Sequence, residues 1–418
     1  MADEWRHSIV GNEVDILLGY AFKSAEFFTE LPGTRLVRGD NVKRGFIEWG
    51  DKARFWRTTT PDLERYALRE GDIVVGMDGS RVGENFARVS ISDLPAFLVQ
   101  RVACLRARSE MYQGFLRYVI CNPNFTAYIK AVHTGTSIPH ISGGQIAAYP
   151  VSVPPLREQQ AIACILGALD DKIELNRRRN ETLEGMARAL FQSWFVDFDP
   201  VRAKSAGRTP HGLKPELAEL FPDSFEVSAV GEIPKGWYEA KLGEVADVNW
   251  GDTSVTKSAY TDRGFTAYSA KGPDGLLPYF DFDRVGIVVS AIGANSGFTW
   301  LARGKWSCIK NTLRFWATDQ DISTEYLFFA THGNNIWPLR GSAQPFIAQA
   351  DARNLRVLYP LRSIARRFGE LVDPFLSQSQ ANDCESRSLA ALRDTLLPKL
   401  ISGEMRVPDA ERIVGRAT

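Results

Sequence analysis

At 418 residues, with 44% hydrophobic and 24% charged side chains, the chain is long enough for two or three domains that each bury a core, and its composition excludes bulk disorder. Fifty basic residues balance fifty acidic ones, which argues against a protein that grips nucleic acid through bulk charge alone. Met1 to Val10 lacks the apolar core of a signal peptide, no apolar run suits a bilayer, and neither the dispersed histidines nor Cys104, Cys121, Cys164, Cys308 and Cys384 form a CxxC or zinc pattern, so the expectation is a cytoplasmic protein with core thiols and no metal.

Residues 1–155 carry short β-type runs at Gly71 to Val75, Ala96 to Val99 and Gln100 to Leu105, broken by the glycine turn Met77-Asp-Gly-Ser-Arg-Val-Gly83. Between Arg35 and Arg57 stand seven basic and three acidic residues interleaved with Phe46, Trp49, Phe55 and Trp56, the pattern of a local nucleic-acid footprint within a neutral whole. A helix is expected near Met111 to Ile120, ended by Asn122 and Pro123. The mixture is that of an α+β domain. Pro154 and Pro155 then stop the sheet and open a helical pattern that runs from Glu158 to about Phe195, roughly 57 Å at 1.5 Å per residue. This helical span is assigned to residues 156–196.

Residues 197–236, with Pro200, Pro210, Pro215, Pro222 and Pro234, read as a connector too broken for a long helix or a central strand. A second α+β segment follows over residues 237–360. It has strand-like runs at Val285 to Ser290 and Leu313 to Trp316 and its own glycine turn, Gly293-Ala-Asn-Ser-Gly297. Gly135, Pro139 and Ile141 of the first segment reappear 206 residues on as Gly341, Pro345 and Ile347. The second helical span, residues 361–403, contains Pro374, where a kink or short break is expected, and residues 404–418 read as a frayed tail.

The two helical spans share one template. Ile162, Ile165, Leu169, Asn176, Leu183, Met186 and Leu190 return 206 residues later as Phe368, Leu371, Phe375, Asn382, Leu389, Leu392 and Leu396, in steps of three, four and seven that describe a heptad seam. Neither stripe can be buried alone, so an intramolecular antiparallel pair is expected, with an α+β arm at each end of it. Asn176 and Asn382 occupy equivalent seam slots beside Leu183 and Leu389; a buried amide there either locks the register or faces water in a loosened middle.

Several motifs, in order along nearly the whole chain, resemble the specificity subunits of Type I restriction-modification enzymes. They are Pro154-Pro-Leu-Arg-Glu-Gln-Gln160, Asn176-Arg-Arg-Arg-Asn180, Leu190-Phe-Gln-Ser-Trp-Phe-Val-Asp-Phe-Asp-Pro200, Gly231-Glu-Ile-Pro-Lys-Gly-Trp237 and Leu396-Leu-Pro-Lys-Leu-Ile-Ser-Gly403. The resemblance implies a non-catalytic subunit with two target recognition domains, each reading one half of a split DNA sequence. It also implies two methyltransferase subunits docked on the helices, joined by restriction (translocase-nuclease) subunits. S-adenosylmethionine, ATP and Mg2+ would then belong to those partners, and this chain would hold no cofactor. The second repeat departs from the pattern: Tyr359-Pro-Leu-Arg-Ser-Ile-Ala-Arg lacks the Glu-Gln pair that follows Pro155, which leaves open whether the two docking sites are equivalent.

Two motifs imitate catalysis. Pro222-Asp223 followed by Glu239-Ala-Lys241 fits a loose metal-dependent nuclease pattern, and Asn122-Pro-Asn-Phe125 resembles a loop that grips a flipped adenine but lacks its second proline. A helical scaffold that never touches DNA is the other alternative; it explains the helices and leaves the arms unused. For base reading in the major groove, the candidates are Lys43, Arg44, Arg81, Asn85 and His140 in the first arm and Lys257, Lys271, Asn295 and Gln344 in the second, all in turn-rich segments. Because the arms differ in sequence, an asymmetric target is expected.

Overall fold

The structure is a computed structural model that describes residues 5–134, 139–228, 231–318, 322–333 and 336–415. Two compact units make up the chain: Met1–Asn176 with Cys384–Thr418, and Arg177–Asp383. The fold class is α+β, and the helical element of each unit comes from the same two long helices, Leu156–Phe195 and Arg362–Ser402.

The first long helix starts where Pro155 ends the preceding strand, and the Pro155 carbonyl accepts the first helical bonds from the Glu158 and Gln159 amides. Gln159 is fully buried. Its amide donates to the Pro154 and Glu110 carbonyls and its oxygen accepts from the Tyr112 N–H, which ties the helix start to the first domain. The matching slot of the second repeat holds Ala365, 1% exposed in an apolar core. The missing Glu-Gln pair is therefore a difference in how each helix start is packed.

Within the first unit the helix segments run antiparallel. Asp170 accepts from Arg393 at 2.7 Å and Asn176 donates to Glu385 at 2.7 Å, so partner numbers fall as the first helix rises. Ile162, Ile165, Leu166 and Leu169 pack with Leu389, Leu396, Leu397 and Leu400 in the core of the first domain. In the second unit the direction is the same: Asn180 donates to Asp383 at 2.7 Å, and the Phe191 and Phe368 rings lie 5.8 Å apart. Asn176 and Asn382 are both buried and bonded inside their own units, Asn176 to Glu385 and Ser386, Asn382 to the Asn180 oxygen at 2.8 Å. Such buried, bonded amides suit a register lock rather than a hydrated middle.

Several expectations are corrected. Met186 is 51% exposed, and the neighbouring Ala187 is buried in its place. Leu190, the next residue of the stripe, still packs against the core of the second unit, so the displacement is local to Met186. The second helix passes through Pro374 without a break; this proline lies on the exposed face, where water can satisfy the carbonyl it frees. The described part of residues 197–236 has, as expected, no long helix or central strand, yet it is not a bare connector: it forms helices Asp199–Ser205 and Pro215–Ala218 and the hairpin Phe225–Ser228 with Gly231–Pro234, and its Val201, Phe221 and Ile233 enter the core of the second unit. The tail also folds: Val407–Val414 is a helix whose Ala410 is fully buried in the first unit. Cys104 and Cys308 are core thiols, whereas Cys164 and Cys384 are exposed.

The two domains repeat one sheet plan. In the first, Val14–Leu18, Val102–Ala107, Ile73–Gly76 and Phe86–Arg88 are neighbours in that order, and in the second Asn249–Trp250, Thr312–Phe315, Gly286–Ser290 and Thr299–Ala302. Each domain adds a parallel pair, Thr34–Val37 with Ala96–Leu98 and Phe265–Ser269 with Lys305–Cys308. The apolar runs at Ile73 to Val75 and Ile287 to Val289 are buried on both faces, as central strands demand. No described helix is long and apolar enough to cross a membrane.

Asp170 fastens the first domain to its helices: its carboxylate, 11% exposed, takes Arg117 and Arg393 in ion pairs of 2.8 and 2.7 Å and accepts from the Tyr118 hydroxyl at 2.8 Å. Removing it leaves the largely buried Arg117 guanidinium without an ion pair among the described residues, whereas Arg393 keeps Asp394 at 2.7 Å. Asp170→Ala is expected to lower stability by about 3 to 5 kcal/mol, read as a reduced midpoint in urea unfolding, and an unchanged midpoint would show the node to be idle.

Candidate nucleic-acid interface

In the first domain three turns are stitched into one edge by backbone bonds. The Met77 amide donates to the Arg101 carbonyl at 2.9 Å, the Gly79 amide to Pro139 at 3.1 Å, and the Ile141 amide to Met77 at 2.8 Å. The second domain repeats the stitching: Ala291 to Asn311 at 2.9 Å, Gly293 to Pro345 at 2.9 Å, and Ile347 to Ala291 at 2.8 Å. Gly79 and Gly293 carry φ of 95° and 102°, which only glycine adopts without strain, and this is why each turn keeps its glycine. The Pro and Ile repeated at 139/345 and 141/347 are the far side of this stitch; Gly135 lies outside the described residues.

The first edge borders a cavity of about 740 Å³ lined by Arg38, Lys43, Arg81, Asn85, Gln100 and Arg101, with Asp40 and Asp78 also on its wall. Of the residues expected from sequence, Lys43, Arg81 and Asn85 therefore come together. His140 joins them at the rim, its Nδ1 lying 3.4 Å from an Arg101 guanidinium nitrogen. Arg44 is outside the cavity wall, exposed on the edge strand Arg44–Gly45 beside Phe46, whose ring is 56% exposed. Within the basic run a hairpin tip presents Arg44 and Phe46 to solvent, Lys43 is half-buried with Glu48 at 3.6 Å, and Trp49 and Phe55 turn inward as packing.

In the second domain Asn295 sits in the glycine turn and donates to the Ala270 carbonyl at 3.2 Å, which places it beside Lys271 in the turn after Ser269. Gln344 precedes Pro345 in the loop bonded to Gly293. Lys257 is engaged elsewhere: its ammonium pairs with Asp274, which also accepts from the Tyr260 hydroxyl at 2.9 Å. Burial works against the Asp274 carboxylate, yet hydrogen bonds from Lys257, Ser269 and Tyr260 hold its pKa below the usual value. That cation serves the fold. The sequence reading missed Arg101 and Asn311, both left-handed with φ of 71°; the signal was the two-residue turns Gln100-Arg101 and Lys310-Asn311 between β-type runs.

Residues 39–185, which contain most of this first edge, match the family described as Type I restriction modification DNA specificity domain. The chain is 26% identical to the Type I restriction enzyme HindI specificity subunit of Haemophilus influenzae over 82% of this chain and 89% of that protein. It is 23% identical to the MjaIX specificity subunit of Methanocaldococcus jannaschii, over 77% of this chain and 76% of the relative. The chain is similar to Type I specificity subunits along most of its length, and the match to their DNA specificity domain falls on residues 39–185. The crystal structure of a Type I system S subunit from M. genitalium shares the fold, with a TM-score of 0.60, 18% identity and coverage of 95% and 96%.

The segments that carry the resemblance build cores. Trp194 packs on Phe221, Phe195 on Tyr326 and Phe368, and Phe198 on Trp237, at ring distances of 4.8 to 5.7 Å. Both catalytic look-alikes have structural occupations. Asn122 caps the helix Pro123–Val132 by accepting from the Asn124 amide at 2.9 Å, and Glu239 is held by Arg356 at 3.1 Å.

Arg44 is exposed and its side chain has no ion pair among the described residues, so it suits a phosphate contact. Arg44→Ala is expected to weaken DNA binding about equally for all sequences and to reduce the slope of log K against log salt by about one. Titrations at several salt concentrations read this, and a loss confined to one sequence would contradict it.

Proposed function

We propose that this specificity subunit reads an asymmetric, two-part DNA target, one part with each domain. The observation that supports this reading most directly is the duplicated edge: the same three-turn backbone is built twice, with different side chains at equivalent places. One scaffold presenting two different polar surfaces is what two unlike half-sites require.

On this reading the helices carry the methyltransferase subunits. An apolar groove of about 580 Å³ in the second unit, lined by Met186, Leu190, Trp194, Leu217, Leu371 and Phe375, leaves helix side chains of the seam open to solvent and suits a protein partner. Restriction subunits join the methyltransferase core, and S-adenosylmethionine, ATP and Mg2+ act in those partners. This chain supplies sequence choice and no chemistry, in the cytoplasm.

Replacing residues 1–150 with the matching segment of another specificity subunit is expected to change one half of the methylated motif and to leave the other intact. Methylome sequencing of cells carrying the chimera with its methyltransferase partner measures it. A change in both halves would sink the modular reading.

A further inference from the structure

Beyond the general edge, two turn positions contrast systematically between the domains. The glycine turns superimpose by their bonds: Val82 N–H to Gly79 and Glu84 N–H to Arg81 in the first domain, Ser296 N–H to Gly293 and Phe298 N–H to Asn295 in the second. Arg81 and Asn295 are therefore equivalent. Arg101 and Asn311 are equivalent too, since each carbonyl accepts from the residue that opens its glycine turn, Met77 or Ala291, and each backbone has φ of 71°. Both positions hold arginine in one domain and asparagine in the other.

We infer that Arg81 and Arg101 read guanine in the half-site of the first domain, and that Asn295 and Asn311 read adenine in the half-site of the second. The inference rests on the two-part recognition proposed above. Its chemistry is that of the base edges: a guanidinium donates two bonds to guanine O6 and N7, whereas a carboxamide accepts from adenine N6 and donates to N7.

The side chains are available for this. Arg81 is exposed and makes no side-chain hydrogen bond or ion pair among the described residues, and the Arg101 side chain is 57% exposed with Asp78 no closer than 3.8 Å. Asn295 spends one N–H on Ala270 and keeps its oxygen and second N–H. Asn311 makes no side-chain hydrogen bond among the described residues. A left-handed backbone favours asparagine, so Asn311 alone would be unremarked, but Arg101 holds the same φ against its preference. A costly conformation kept at an exposed turn points to use of the side chain.

The test is the methylated motif of a host that expresses the chain with its own methyltransferase subunits, compared for R81A, R101A, R81N, N295A and N311A. R81A and R101A are expected to relax G·C positions of one half-site by roughly 5- to 150-fold in discrimination, and R81N to move a position toward A·T. N295A and N311A are expected to relax A·T positions of the other half only. If R81A abolishes methylation, binding of the assembled complex to duplexes altered one base pair at a time carries the same test, since discrimination at G·C must fall. An unchanged motif, relaxation at an A·T position by R81A, or equal weakening on every duplex would overturn the inference while leaving a two-part target standing. A wild-type complex that methylates no split motif would instead overturn the proposed function, and the inference with it.

Discussion

The structure depends on the mutual burial of two apolar helix stripes, neither of which can leave water alone. Because the paired segments run antiparallel, the end of the chain completes the unit that its beginning starts: Leu396, Leu397, Leu400 and Ala410 are core residues of the same domain as Val10 and Val14. The second unit is correspondingly a single stretch, Arg177–Asp383, closed on itself by Trp194 and Phe195 against Phe368. Asp170 in the first unit and Arg303 in the second add a polar node to each closure, Arg303 reaching both Glu325 at 3.1 Å and Asp373 at 2.6 Å. Each node binds a domain helix or turn to a long helix, so recognition edge and helix frame are held as one piece within each unit.

On that frame the recognition edge separates backbone from side chain. Its shape is fixed by amide-to-carbonyl bonds and by the glycines at 79 and 293, which leave residues 81 and 295 free to change without refolding, while 101 and 311 share a left-handed backbone. An edge that presents different polar surfaces on one backbone needs such a division, because a substitution in a turn that points to solvent costs the fold little.

Much of this was legible in the amino-acid order. Apolar spacing records a helix face directly, so both long helices and their common template were readable, and the repeated Pro and Ile marked the loops that close each edge. Met186 fits the apolar spacing yet is exposed, because the small neighbouring Ala187 takes the buried place. Val201, Phe221 and Ile233 looked like a broken connector because their burial depends on a core assembled from distant segments. Turn composition marked Lys43, Arg81 and Asn85, which the fold brings to one cavity wall, whereas Arg101 and Asn311 stand out only through the backbone angle, and the engagement of Lys257 depends on Asp274 of the strand Gly272–Leu277. Secondary-structure pattern is local information; which polar side chains remain free is decided by tertiary contacts.

The central claim is that one chain carries two unlike DNA-reading edges on a paired helical frame. Hydroxyl-radical footprinting of the methyltransferase-bound complex on its methylated target addresses it most directly. The account predicts two protected segments of different sequence with an unprotected or sequence-indifferent stretch between them. A single continuous footprint whose every position is sequence-critical, or two segments of identical sequence, would contradict it.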